Sequence, residues 1–124
     1  MSERIVPITT KTYLFVGRKP VAVIFDDERV AAKSWREVFT VVLSRCNQNP
    51  QHHQTLMDLR GRLAGQQRVF LSDDSRKMRR PVKIDEDMYA EAHYGSATLM
   101  HILVNRILAP VGFDVTSIRI VIKT

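Results

Sequence analysis

Hydrophobic residues recur at helical spacing in two segments of the chain. In the first segment they form a single stripe, which comprises Trp35, Val38, Phe39, Val42, Leu43 and Cys46. In the second segment they form a broader face, which comprises Leu99, Ile102, Leu103, Ile107 and Leu108. Apolar residues that repeat roughly every three to four positions are typical of amphipathic helices with one buried side. We therefore predict helices that begin after Ser34 and at about Ala97.

The start of the first helix is marked by a capping box, Ser-Trp-Arg-Glu at residues 34–37. In this motif the Ser34 hydroxyl accepts a hydrogen bond from the N–H of Glu37, and the Glu37 carboxylate accepts one from the N–H of Ser34. The helix should end near residues 47–49. There, Asn49-Pro50 predicts a cap and the first residue of a second helix, which should run to about Leu59.

Short runs rich in Val, Ile, Tyr and Phe between turn residues predict the strands. The expected strands are 12–16, 20–25, 29–33, 68–71, 81–84, 88–94 and 117–123. The first two should pair as a hairpin around Gly17, and Glu91 should point outward from the sixth. Isoleucines alternate with Arg119, Val121 and Lys123 in the last run, which predicts a half-buried strand at a sheet edge. This mixture predicts a single α+β domain, with a mostly antiparallel sheet and about three helices packed on it.

The composition of the chain restricts the class of protein and its expected location. A chain of 124 residues with 44% hydrophobic and 26% charged residues is typical of one globular domain. No apolar run approaches the roughly 20 residues of a membrane-spanning helix, and the first residues lack a signal-peptide core. The single cysteine, Cys46, cannot form an internal disulfide and is expected in the core. We therefore predict a cytoplasmic protein with no membrane partner.

The net charge of +6 is confined to one part of the chain. Between residues 60 and 83 there are eight basic residues and only two acidic ones, whereas the other hundred residues carry eleven of each sign. The eight are Arg60, Arg62, Arg68, Arg76, Lys77, Arg79, Arg80 and Lys83. Such a concentrated patch favours nucleic acid or an acidic protein as the partner. The alternative is a solvated loop that only aids solubility.

The leading functional hypothesis is a non-enzymatic nucleic-acid-binding accessory domain. Arginine forks bind phosphate through paired hydrogen bonds, and the basic loop at about 76–83 lies between two expected strands. Phe70 is the only aromatic residue in the basic window, so backbone contact with little base recognition is expected. The chain has no helix-turn-helix, zinc-finger or RNA-recognition signature.

Two other functions stay open. A protein-interaction module, such as a phage or mobile-element inhibitor, would present the basic loop to an acidic protein surface. A small metal-dependent nuclease would use Asp85, Asp87, Glu91 and His93, but a polar turn and an outward strand residue also explain these side chains. The histidines and Cys46 have no zinc-site spacing. We therefore predict no catalytic residue, metal or cofactor. A homodimer through an exposed sheet edge or a spare apolar helix face is a further alternative.

Three short motifs precede the closing amphipathic helix. They are Ser34-Trp35-Arg36-Glu37-Val38, Met78-Arg79-Arg80-Pro81-Val82-Lys83-Ile84 and Tyr89-x-Glu91. Together they resemble a small module of uncharacterised bacterial and phage-borne proteins, sometimes found beside helix-turn-helix segments. The resemblance runs from about Val21 to the end of the chain, and residues 91–98 depart from the module's pattern. It implies a mobile-element or host-defence context and carries no activity with it.

Overall fold

The computed structural model describes residues 2–60, 70–76 and 78–123. These residues contain the strands β1 (Glu3–Pro7), β2 (Pro20–Phe25), β3 (Glu28–Ala31), β4 (Leu71–Ser72), β5 (Pro81–Asp85), β6 (Met88–Glu91) and β7 (Ile118–Lys123). They also contain a 3₁₀ turn (Thr12–Phe15) and the helices α1 (Trp35–Gln48), α2 (Pro50–Leu59) and α3. The last helix, α3, is α-helical over Ser96–His101, π-helical over Ile102–Leu108 and α-helical again over Ala109–Val111.

The strands form two antiparallel sheets that share one core with the helices. The larger sheet has the order β1-β7-β2-β3, and the smaller has the order β4-β6-β5. Buried side chains from both sheets and from α1, α2 and α3 pack in a single cluster. This arrangement confirms the predicted α+β class with antiparallel pairing and about three helices, and it divides the strands between two sheets.

The predicted hairpin between residues 12–16 and 20–25 is wrong. Residues 12–15 form a 3₁₀ turn, and β2 pairs instead with β3 and with β7. The turn carries Phe15 into the core, where its ring is fully buried and lies 4.7 Å from the ring of Trp35. The first strand is β1, which buries only Val6 and therefore shows no periodic apolar pattern.

The predicted edge position of the last strand is also wrong, because β7 lies between β1 and β2. Its isoleucines face the main core as expected, but Val121 on the other face is fully buried as well. There it packs with Ala22 and Ile24. We call this second side the outer sheet face; Arg29 and Arg119 flank Ile24 on it in the strand register.

Local signals at the helix ends were more reliable. The N–H of Glu37 donates to the Ser34 hydroxyl at 3.1 Å, while the Glu37 carboxylate accepts from the N–H of Lys33 rather than from that of Ser34. The predicted cap and start of α2 at Asn49-Pro50 are confirmed. α3 ends at Val111, and Gly112, whose φ of 81° lies in the left-handed region, forms its C-cap. Within the described residues, none of the helices has both the length and the apolar composition that a membrane crossing requires.

Cys46 lies in the core, as the sequence predicts. Its side chain is fully buried, and this burial raises the pKa of the thiol to about 12. Since the thiolate is the reactive species, the native protein holds very little of it near neutral pH.

We expect the native protein to react with a thiol reagent far more slowly than the unfolded protein does. An ordinary cysteine has a pKa of about 8.5, so at about pH 8 the difference in thiolate population alone slows the native reaction on the order of 10³-fold. Disulfide-exchange rates measured with and without denaturing urea test this. Equal rates in the two conditions would show that Cys46 is accessible.

Candidate anion-binding site

A buried carboxylate organises the chain just before β5. Glu91, the last residue of β6, is 4% exposed. Its two carboxylate oxygens accept hydrogen bonds from the backbone N–H groups of Arg79 and Arg80, each at 2.9 Å. The Ala92 N–H donates to the Arg80 carbonyl, also at 2.9 Å. The backbone of the two arginines is therefore held from the inside.

The expectation that Glu91 points outward is wrong. β6 ends at this residue, and the segment with Arg79 and Arg80 closes over its side chain. Buried charges are stable only when they are paired or hydrogen-bonded, and here the backbone N–H groups meet that need. Strand alternation cannot reveal this arrangement, because the loop that covers Glu91 comes from an earlier part of the chain.

The side chains of Arg79 and Arg80 are exposed, in contrast to their backbone. Among the described residues, neither guanidinium group has an ion-pair partner. A fixed backbone with free guanidinium groups suits an external anion, since less conformational entropy is lost on binding.

Three other described members of the basic window have partners within the protein. Arg76 is paired with both carboxylate oxygens of Asp74 at 2.9 Å, an interaction that raises the pKa of its guanidinium. Arg60 donates to the backbone carbonyl of Asp87 at 2.6 Å, and Lys83 lies 3.9 Å from Glu86. Arg62, Arg68 and Lys77 lie outside the described residues. Of the predicted patch, the structure thus leaves Arg79 and Arg80 as an adjacent pair of unengaged cations.

A cavity of about 600 Å³ opens beside this pair. Basic side chains from three parts of the chain line it, and we call it the basic cavity: Arg36 from α1, Arg80, and His93 from the segment after β6. None of its described lining residues is acidic. The cavity therefore has an uncompensated basic lining.

The 3₁₀ turn contacts two residues that line the basic cavity, Trp35 and Ser96. The indole Nε1 of Trp35 donates to the carbonyl of Arg18 at 2.9 Å, and the Trp35 ring packs on Phe15. The Ser96 hydroxyl, which also lies at the cavity, donates to the Phe15 carbonyl at 3.4 Å. The turn therefore connects the start of α1 to the start of α3.

Comparisons with known proteins leave the function to be argued from this geometry. No family model matches the chain, and neither a curated protein nor a solved structure matches it. The resemblance to a bacterial and phage-borne module is not tested by these comparisons and stays a prediction. The chemistry of the cavity and of the two exposed arginines is thus the basis for a functional proposal.

Two residues of this site were not assigned to it by sequence reasoning. The sequence places Arg36 in the capping box, and it raises His93 in the nuclease alternative. Both line the basic cavity together with Arg80. Tertiary packing brings them there, and no local sequence pattern connects residues so far apart in the chain. The one available signal is that Arg36 and Arg80 belong to two motifs of the same resemblance.

A second polar cluster joins α1, α2 and β5. The Asn47 side-chain amide donates to Asp85 at 2.9 Å, and the His53 imidazole lies 2.7 Å from the Asn47 oxygen and 3.4 Å from Asp85. The hydrogen bond from Asn47 is the main cause that lowers the pKa of Asp85. Asp85 is thus held here, while Glu91 holds the arginine backbone. In the described part of the chain, no three His, Cys, Asp or Glu side chains meet as a metal-binding group.

We expect Asp85→Asn to destabilise the protein at about pH 7 and to destabilise it less at about pH 2. The folded pKa of Asp85 is lowered, so its contribution is present above the unfolded pKa of about 3.9 and is lost as the pH falls through the folded value. Urea unfolding of both proteins at the two pH values measures this. A difference in stability that stays constant with pH would contradict it.

Proposed function

We propose that this chain is a non-enzymatic nucleic-acid-binding accessory domain of the cytoplasm, which contacts the phosphate backbone through Arg79 and Arg80. The observation that carries the proposal is the buried Glu91 carboxylate, which fixes the backbone of both residues while their guanidinium groups stay exposed. The other basic residues of the window would add long-range attraction; they are Arg60, Arg62, Arg68, Arg76, Lys77 and Lys83.

The chemistry of the pair favours phosphate as its ligand. A guanidinium group donates two parallel hydrogen bonds to a phosphate, and adjacent arginines can engage successive phosphates of one strand. Arg80 also borders the basic cavity, so part of the positive charge lines a concave surface. A cation at a concave surface is reached more easily by a projecting phosphate than by the surface of a folded acidic protein. Nucleic acid is therefore favoured over an acidic protein as the partner.

A salt titration tests the proposal. Fluorescence anisotropy with labelled random single strands and duplexes should show binding at low salt, with log affinity falling linearly against log salt. Two or more phosphate contacts give slopes of about −1.4 or steeper for single strands and about −1.8 or steeper for duplexes.

The same assay separates nucleic acid from an acidic protein as the partner. Polyglutamate at matched charge should displace the oligonucleotide poorly, because it lacks phosphate. No measurable binding of either oligonucleotide at low salt would remove the proposal. Polyglutamate that binds as tightly as DNA would favour the protein-interaction alternative.

A further inference from the structure

The basic cavity has the size of a small-molecule site. Its volume of about 600 Å³ falls within the roughly 300–1,000 Å³ typical of such sites. A bare phosphate would leave most of this space empty, whereas a phosphate joined to a sugar and a base would occupy more of it. The volume therefore favours a nucleotide over inorganic phosphate.

The lining of the cavity favours a doubly charged anion. Arg36 and Arg80 have no ion-pair partner among the described residues, and His93 adds a third nitrogen-bearing side chain. A phosphomonoester carries about −1.5 to −2 charges near pH 7, whereas each internal phosphate of a strand carries only one. Two guanidinium groups around a single cavity match the monoester better than the diester.

Hydroxyl and aromatic groups complete the site. The Ser34 oxygen accepts from the N–H of Glu37, which leaves the hydroxyl hydrogen to donate to a ligand. Trp35 and Tyr94, both half-buried, also line the cavity. Aromatic side chains stack on bases without sequence preference. The cavity thus combines phosphate donors with surfaces suited to a base or sugar.

We propose that the basic cavity is a binding site for the phosphomonoester of a nucleotide, held by Arg36, Arg80 and His93. The carrier is either the phosphorylated end of a nucleic-acid strand or a free mononucleotide. Only the strand as carrier rests on the proposed function, because a cavity that binds a free mononucleotide does not require binding to the phosphate backbone.

Two titrations test the site and distinguish the carriers. Trp35 is the single tryptophan of the chain and lines the cavity, so its fluorescence should change saturably with a nucleoside monophosphate and not with the nucleoside. In the second titration, a single strand with a terminal phosphate should bind about tenfold more tightly than the same strand ending in a hydroxyl, as expected for charge-assisted hydrogen bonds.

Substitution at the cavity should remove both signals. In Arg36→Gln the fluorescence change is lost and the affinity ratio of the two strands falls to about one. Arg119→Gln, which removes the same charge from the outer sheet face, should retain both signals. A gain with the phosphorylated strand identifies the strand end as carrier, and a response to the monophosphate alone identifies the free nucleotide; either supports the site.

The absence of both responses, or responses that persist in Arg36→Gln, would overturn the phosphomonoester site. Backbone binding by a hydroxyl-ended strand in the absence of both responses would leave the proposed function intact. A monophosphate response without binding of either strand would remove the proposed function and keep the site.

Discussion

Replacing Glu91 with alanine should destabilise the fold by about 3 kcal/mol, because buried groups left without a hydrogen-bond partner cost about 1–3 kcal/mol. The N–H groups of Arg79 and Arg80 both lose their acceptor, and the missing side chain leaves a space in a buried region. Nucleic-acid binding should weaken as well, because the backbone of the two arginines is no longer fixed. Urea unfolding gives the stability, and anisotropy with an oligonucleotide gives the affinity.

Two further variants make this result specific. Glu91→Gln keeps the volume and one acceptor oxygen but turns its amide nitrogen toward a backbone N–H, so an intermediate loss is expected. Glu86→Gln removes a carboxylate whose side chain is 87% exposed on the same hairpin, and should change stability by less than about 0.5 kcal/mol. Equal stability of Glu91→Ala and Glu86→Gln would show that the carboxylate does not hold this loop.

The double variant Arg79→Gln/Arg80→Gln should lose about 10–100-fold in affinity for an oligonucleotide at low salt. Each phosphate contact that is removed lowers the magnitude of the salt slope by about 0.7 for a single strand and about 0.9 for a duplex, so the magnitude should fall by about 1.4 or about 1.8. The loss should be similar for different sequences, because contacts with the phosphate backbone carry no base information.

The matched control is Arg29→Gln/Arg119→Gln, which removes the same charge from the outer sheet face. Its effect on affinity should be less than about threefold, because long-range attraction is reduced while neither proposed phosphate contact is lost. Equal losses in the two double variants would mean that binding depends on net charge alone. In that case Arg79 and Arg80 would have no special role.

The helices could be predicted from the sequence because their signals are local. The capping serine at Ser34, the Asn49-Pro50 start of α2 and the apolar stripes act within a few residues of one another. The strands β5 and β6 were predictable for the same reason, since turn residues separate two short apolar runs. These features need no knowledge of what packs against them.

The errors fall where a distant part of the chain decides the structure. Residues 12–15 have strand-like composition. In the structure, however, the Phe15 ring packs on the ring of Trp35, and the segment forms a 3₁₀ turn. Strand alternation predicts that Glu91 points outward. In the structure the segment that carries Arg79 and Arg80 covers its side chain. Local patterns in a single sequence do not indicate these tertiary contacts.

The site shows the same division. A local count of charge identified the window with Arg79 and Arg80, and it also included Arg76 and Arg60, which the structure pairs internally. The count could not include Arg36, because the basic cavity forms only when α1 meets the end of β6. The density of basic residues thus indicated the region, and the folded structure shows which of its arginines have no ion-pair partner among the described residues.

The most direct measurement is a map of backbone amide shifts during titration of the isotope-labelled protein with a single-stranded oligonucleotide. Shifts are expected at Arg79 and Arg80, and around Arg36 and His93 when the strand carries a terminal phosphate. The outer sheet face around Arg119 should stay unchanged. Shifts concentrated on that face, with residues 79 and 80 unaffected, would contradict the assignment of nucleic-acid binding to the Arg79–Arg80 pair.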